Sequence, residues 1–428
     1  MTQTNPESEN PASFPLERLS WQMTKNASII SQFLHAHELP QPSTAQDGPV
    51  EVLPASCPQS IRQARQNLIE DALKLFQLAI GPSEFLSHLS TGYQYITCLR
   101  WLCHFNIIHH LPLTGSMSYS DLAAKAQVPE QALKSIARMA MTNMLFTEPT
   151  PGQIAHSATS ALLAANDNMY AWAKYMCDRS TPTAMKMVEA HEKWPGTVRK
   201  NETAYNIAFE TDLPFFDHLA TDSEKTAEFA AYMKNVTTNE AQISSICWPG
   251  LIGGIGGSTG HAAIALAKAF PDLIFIVQDL PINVDNGRQA ASSTLPPDYF
   301  ARIIYQAHDF TQPQPVKGAE IYLLRMILHD WPREESVQIL RNILPAMSRC
   351  SRLLIMDSVL PAPATVPSSV ERIMRVRDLT MMQAFNSHER DRGDWEDLLA
   401  AADPRLQLVQ IVQPFGSVMS VLEVVFRS

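Results

Sequence analysis

No run of Lys and Arg occurs anywhere in these 428 residues, and 33 basic residues face 43 acidic ones, for a net charge of −10 and a pI near 5.7. A general nucleic-acid binder needs a basic footprint to displace counterions from phosphates, so this balance argues against that class. No stretch approaches the ~20 unbroken apolar residues of a membrane-spanning helix, and the polar opening MTQTNPESENP does not read as a signal peptide. Cys57, Cys98, Cys103, Cys177, Cys247 and Cys350 show neither CxxC nor Cys/His metal spacing. They read as reduced cysteines of a cytoplasmic protein without a metal site. There is no GxxxxGK[ST] loop, which argues against a triphosphate ligand, and no internal repeat. What remains is 45% apolar and 18% charged, enough to build more than one core. Neither a nucleic-acid nor a membrane partner is expected.

Eight prolines between Pro6 and Pro58 interrupt the first 60 residues, with one helix expected around Leu19 to Leu34 and an irregular linker over 41–58. Ile61, Ala64, Leu68, Ala72 and Leu75 make a helical stripe stopped by Gly81-Pro82. A second helix, 91–108, has almost no polar face and is expected in a core or between subunits. Ser118 to Asp121 then caps a short helix, Val128-Pro129-Glu130 opens another, and residues 145–157 read as a hairpin. Helix, turn, helix, hairpin is a winged-helix pattern. As a DNA reader its second helix would offer only Lys134 and Arg138 among Ala, Met and Ile, so packing or dimerisation is the expected role. Two longer helices are predicted over 169–193 and 213–235.

Beyond residue 245, short apolar runs alternate with helices: 251–255, 273–279, 303–309, 320–328, 352–360, 407–412 and 418–426. Helices are predicted between them at 261–270, 333–348, 370–385 and 393–402. Alternation of this kind implies an α/β fold with a doubly wound parallel sheet, here closed by an antiparallel pair at Pro414-Phe415-Gly416.

The loop Gly253 to Gly260 lies between the first strand and its helix, where glycines let a ligand approach the backbone and bare N–H groups at the helix start. Nineteen residues past Gly260, Asp279 ends the next strand, where a carboxylate can accept both hydroxyls of a ribose. Asp309 stands at the end of the third. The fourth run ends in Leu328-His329-Asp330-Trp331-Pro332, the fifth in Asp357, and Glu389 follows in the loop NSHER. A neutral imidazole held by a carboxylate is a competent base for a phenol or enol proton.

FPDLIFIVQDLP (270–281), KGAEIYLLRMILHDWP (317–332) and NSHERDRGDWEDLL (386–399) resemble the O-methyltransferase family of plant small-molecule and fungal secondary-metabolite enzymes, over residues ~60–428. The resemblance implies an N-terminal extension and linker (1–59), a helical, winged-helix-like dimerisation domain (60–240) and a Rossmann-like class I methyltransferase domain (241–428). It implies S-adenosylmethionine as methyl donor, with Gly256 and Gly260 at its methionine part, Asp279 and Leu280 at the ribose, Asp309 and Phe310 near the adenine, and Arg325 completing the site. It implies His329 as general base, oriented by Asp357 and Glu389. The substrate pocket is expected from Tyr175, Met176 and Thr237, and from Asp330, Trp331, Met382, Phe385 and Asn386. A homodimer acting on a small molecule is the expected assembly.

One departure stands out. The family pattern has Asp-Val-Gly-Gly where this chain has Gly254-Ile255-Gly256-Gly257, so an acid near the donor's amino group is missing. Losing one charged hydrogen bond costs about 1.5–3 kcal/mol, roughly ten- to a hundredfold in affinity. Two enzymatic readings follow. The first is methylation of a hydroxyl on a flat polyketide-type metabolite. The second is a pericyclase or dehydrating cyclase on the same scaffold, needing an apolar cavity and a donor such as His329, Arg325, Lys234 or Thr237 aimed at a carbonyl.

Overall fold

The computed structural model describes residues 14–238 and 251–426, with side chains throughout except at 234–238 and 251–253. Backbone packing divides the chain into two compact units, Met1–Arg179 with Pro367–Ser369, and Ser180–Val366 with Val370–Ser428. Within the second unit, Tyr205, Phe215 and Leu219 bury themselves against Met381, Ala384 and Phe385.

The first unit opens with α1 (Pro15–Ala36) and α2 (Gln59–Ile80), whose stripes meet at Ile30, Leu34 and Ala64. The third helix, α3, runs Phe85–His104, beginning earlier and ending sooner than expected. Asn106, left-handed at φ 53°, breaks it before a short turn of helix at Ile107–His110. It is also only half an interior helix, burying Cys98, Leu102 and Cys103 but leaving Phe85, Leu86, Leu89 and Tyr93 exposed.

The winged-helix pattern is present. β1 (Ser116–Ser118) leads into α4 (Tyr119–Ala126), capped by the Ser118 hydroxyl, which accepts the Asp121 N–H at 3.1 Å. α5 (Glu130–Met141) buries Leu133, Ala137 and Ala140, spaced four and three apart on one face. β2 (Thr147–Thr150) and β3 (Gln153–Ala155) form the hairpin, with β1 on the other side of β3. The second helix's cations are engaged internally: Arg138 grips Glu148 through two bonds of 2.8 and 2.9 Å, and Lys134 lies over the Tyr119 ring.

The single helix predicted over 169–193 is four pieces: α6 (Asp167–Tyr175), a π turn at Met176–Ser180, and short helices Thr181–Ala184 and Met187–Lys193. Pro182 has no N–H to continue the ladder. The next predicted helix is likewise split, into Phe215–Ala220 and Ser223–Thr238.

Seven strands build the sheet of the second unit: β4 (Leu251–Ile255), β5 (Ile274–Asp279), β6 (Ile303–Ala307), β7 (Ile321–Arg325), β8 (Arg352–Asp357), and, later in the chain, Leu406–Val412 and Ser420–Phe426. The order across the sheet is Leu406–Val412, Ser420–Phe426, β8, β7, β4, β5, β6. β4 to β8 pair in parallel, while Ser420–Phe426 enters antiparallel beside β8, with Ser420 opposite Asp357. Chain order reverses between β4 and β7, and the carboxyl ends flanking such a switch point are where sheets of this type bind ligands.

Helices cover the sheet, including one over Pro281–Thr294 that its Asn, Gly and Ser content had concealed. Arg333–Ile343 and Arg392–Ala402 pack Ile339, Leu340, Trp395 and Leu398 onto β7 and β8. Val359–Leu360, expected as part of the fifth strand, instead pairs in parallel with Arg390–Asp391, Arg390 opposite Val359. Among the described residues, no helix is long and apolar enough to cross a membrane.

Candidate active site

β4 delivers its chain into the Gly256–Gly260 loop. Gly256 has φ 64°, a conformation strained for other residues, and a Cβ there would press on Ile327 Cδ1. Asp279, at the end of β5, ties this loop down: its Oδ2 accepts the Ser258 N–H at 2.7 Å, and its Oδ1 accepts Leu280 N–H and the Asn283 amide at 2.8 and 2.7 Å. A carboxylate offers about four lone-pair sites, so one remains toward the loop. Leu280, half exposed, starts the following helix. β6 ends at Ala307, two residues before Asp309, whose carboxylate turns back to accept Thr311 N–H and Oγ–H at 2.9 and 2.8 Å. Phe310 meets Trp331 edge-on, ring centres 5.5 Å apart. Arg325 is the last residue of β7 and lines, with the glycine loop, a cavity of about 30 Å³.

Gly254 forms part of the same cavity, and a Cβ there would meet nothing nearer than Ile276 O at 3.7 Å. A Cβ at this position therefore has ordinary van der Waals room.

His329 sits in a 3-10 turn, Leu328–Asp330, beyond β7, and keeps only 5% of its surface. Its Nδ1 lies 3.0 Å from Glu389 Oε1 and 3.5 Å from Asp357 Oδ1, and its Nε2 lies 3.6 Å from Asp330 Oδ1. Burial alone would hold the ring neutral. The charges of Asp357, Asp330 and Glu389 outweigh it and push the imidazole up to about 10. Burial in turn raises Asp357 to about 7 and Asp330 to about 6, each pulled back by the imidazolium. Glu389 is fixed from behind, its backbone N–H donating to Asp378 Oδ1 at 3.0 Å.

Other expected pocket residues land in varied settings. Phe385 is 6% exposed and stacks on Phe216 within the aromatic cluster, at 5.4 Å. Asn386 donates its amide to Arg199 O and Glu202 O, at 2.6 and 3.1 Å, pinning that loop. Met382 is half-buried beside them. Trp331 carries the Lys200 ammonium 3.7 Å above its ring. Tyr175 and Met176 belong to the first unit, Tyr175 buried at the end of α6. Lys234 and Thr237 lie outside the described side chains.

Sequence reasoning missed Asp378, Lys200 and Arg390. The last was quoted within its motif, and its burial at 2% exposure had no sequence signal.

This edge sets together a glycine-rich loop (Gly256–Gly260), the Asp279 carboxylate, the Phe310–Trp331 ring pair and the Arg325 guanidinium, groups that fit an adenosyl cosubstrate. Together with an imidazole at the switch point, they define a small-molecule methyltransferase that uses S-adenosylmethionine. Residues 195–403 match the model of the O-methyltransferase domain. The chain is 56% identical over 422 residues to O-methyltransferase pgmB of Aspergillus terreus, covering 96% of each. The structure of LepI in complex with S-adenosylmethionine superposes with a TM-score of 0.70 at 26% identity, over 86% of this chain and 97% of that one. The same figures hold for a structure described as a pericyclic reaction enzyme. The chain belongs to the O-methyltransferase family.

Proposed function

We propose that this enzyme methylates a hydroxyl of a flat, polyketide-type metabolite in fungal secondary metabolism, with His329 as general base. The observation that carries the reading is the 3.0 Å approach of Glu389 to His329 Nδ1 at the sheet's carboxyl edge. The Glu389 carboxylate accepts a hydrogen bond from Nδ1–H, so in the neutral ring the lone pair stands on Nε2. The substrate O–H bond breaks, its proton moves to Nε2, and the oxygen keeps the electron pair. Gly256, Gly260, Asp279, Leu280, Arg325 and the Asp309–Phe310 turn would hold S-adenosylmethionine, whose sulfonium supplies an electrophilic methyl group. Asp330 and Asp357 stabilise the imidazolium formed when the proton arrives. His329→Gln is expected to leave cosubstrate binding within about threefold while lowering turnover roughly 10²–10⁴-fold, the usual contribution of a positioned base. Unchanged turnover would refute the assignment.

Ring closure without methyl transfer is a second reading, favoured by Gly254 and by the likeness to the pericyclic enzyme. Product mass separates the two, since methylation adds a CH₂ and isomerisation adds nothing.

The same proposal includes a homodimer and a cytoplasmic setting. Phe85, Leu86, Leu89 and Tyr93, between 57% and 74% exposed, lie along the first half of α3 within the expected 60–240 dimerisation module. An exposed apolar row on a helix face supports a contact between two copies of the chain. Among the described residues the cysteines Cys57, Cys98, Cys103, Cys177 and Cys350 are free thiols, which suits a reducing compartment.

A further inference from the structure

Arg390 is buried to 2% of its surface, in a position where a guanidinium needs strong partners. Its Nη1 donates to Leu328 O at 2.7 Å, and its Nη2 donates to Trp331 O at 2.9 Å and to Ser336 Oγ at 3.1 Å. Leu328 and Trp331 are the residues on either side of the His329–Asp330 pair, so one planar fork spans the base of the turn that carries the imidazole. The Trp331 carbonyl takes further bonds from Ser336 and Ser387, both at 2.9 Å, and the guanidinium lies over the Trp395 ring at 5.3 Å. The preceding residue in the chain is Glu389, which holds the ring itself. One dipeptide thus fixes both the imidazole and the backbone beneath it.

Charge points the same way. Asp330, Asp357 and Glu389 all approach the imidazole within 4 Å, so three carboxylates face one imidazolium. Arg390 feels the charges of Asp357, Glu389 and Asp394, against the like charge of Arg333. Asp378 and His388 complete the charged and titratable groups around Glu389.

We propose that Arg390 is a positioning residue for the base, clasping the two carbonyls that flank His329–Asp330 and supplying the buried positive charge that offsets the surrounding carboxylates. It does not touch substrate. The inference rests on His329 being the base.

Two variants test it. Arg390→Lys keeps the charge, but one ammonium cannot bridge two carbonyls in a plane. It should lower kcat roughly tenfold or more with KM little changed and the pH limb in place, the loss expected when a reacting group is misplaced. Arg390→Met removes the charge as well, so the carboxylates hold the His329 proton more firmly. The rising limb of kcat against pH should then move up by about one unit. Both are measured per folded molecule, counted by circular dichroism. Wild-type kcat in Arg390→Lys, or a folded Arg390→Met with the limb unmoved, would overturn the proposal. Should Arg390→Met not fold, the lysine variant alone decides. The base assignment fails separately: His329→Gln would then turn over normally, whatever Arg390 does.

Discussion

Asp357 ends 3.5 Å from His329 Nδ1, wholly buried, and neither of its carboxylate oxygens makes a hydrogen bond among the described residues. Such a group normally costs stability, and here its charge acts on the imidazole through space. The base is active deprotonated, and its folded pKa is raised, so activity is low below that value and rises with pH through it. Asp357→Asn removes one of the charges that raise it. The rising limb of kcat/KM against pH should therefore move to lower pH by about one unit, as loss of a near charge predicts. A limb that stays fixed would mean that Asp357 does not act on His329.

Gly254→Asp restores the family's acid where a Cβ has ordinary van der Waals room. Calorimetric titration should show S-adenosylmethionine binding tightened by roughly ten- to a hundredfold, equivalent to about 1.5–3 kcal/mol for one charged hydrogen bond. Unchanged affinity would show that the missing acid does not weaken the hold on the donor's amino group.

Along α3, the double substitution Leu86→Glu and Leu89→Glu places two charges in the exposed apolar row. Light scattering at micromolar concentration should give a dimer mass for the unaltered protein and a monomer mass for the variant. A monomer in both cases rules the dimer out.

The Tyr322 hydroxyl, buried on β7, shares its one proton between Val316 O and Ala346 O, each 2.8 Å away. Tyr322→Phe leaves those carbonyls short of a donor at a cost of about 1–3 kcal/mol. Denaturant unfolding should show the loss, with turnover at 25 °C unaffected because Tyr322 does not line the glycine-loop cavity.

Much of the catalytic edge was legible because its parts follow strand ends in order. A glycine loop, an acid about 20 residues on, and His-Asp-Trp after an apolar run are local patterns, and each falls where alternation of strands and helices puts it. Arg390 was not legible: its partner carbonyl at Leu328 lies 62 residues earlier, and bonds to backbone leave no residue-type signature. The break in 169–193 escaped because apolar periodicity continues across the π turn at Met176–Ser180. Asp309, expected near the adenine, is held by its own turn through Thr311, a contact that sequence pattern does not distinguish from a ligand site.

The two-residue ladder of Val359–Leu360 against Arg390–Asp391 is the ruler that sets Asp357 and Glu389 abreast of one imidazole. Because neighbouring residues on a strand point to opposite faces, a slip of one position there would turn the acid away and bring its neighbour in. Insertions and deletions, which surface connections usually tolerate, should thus be purged between residues 386 and 391: the length of that segment is under as strict a constraint as its chemistry.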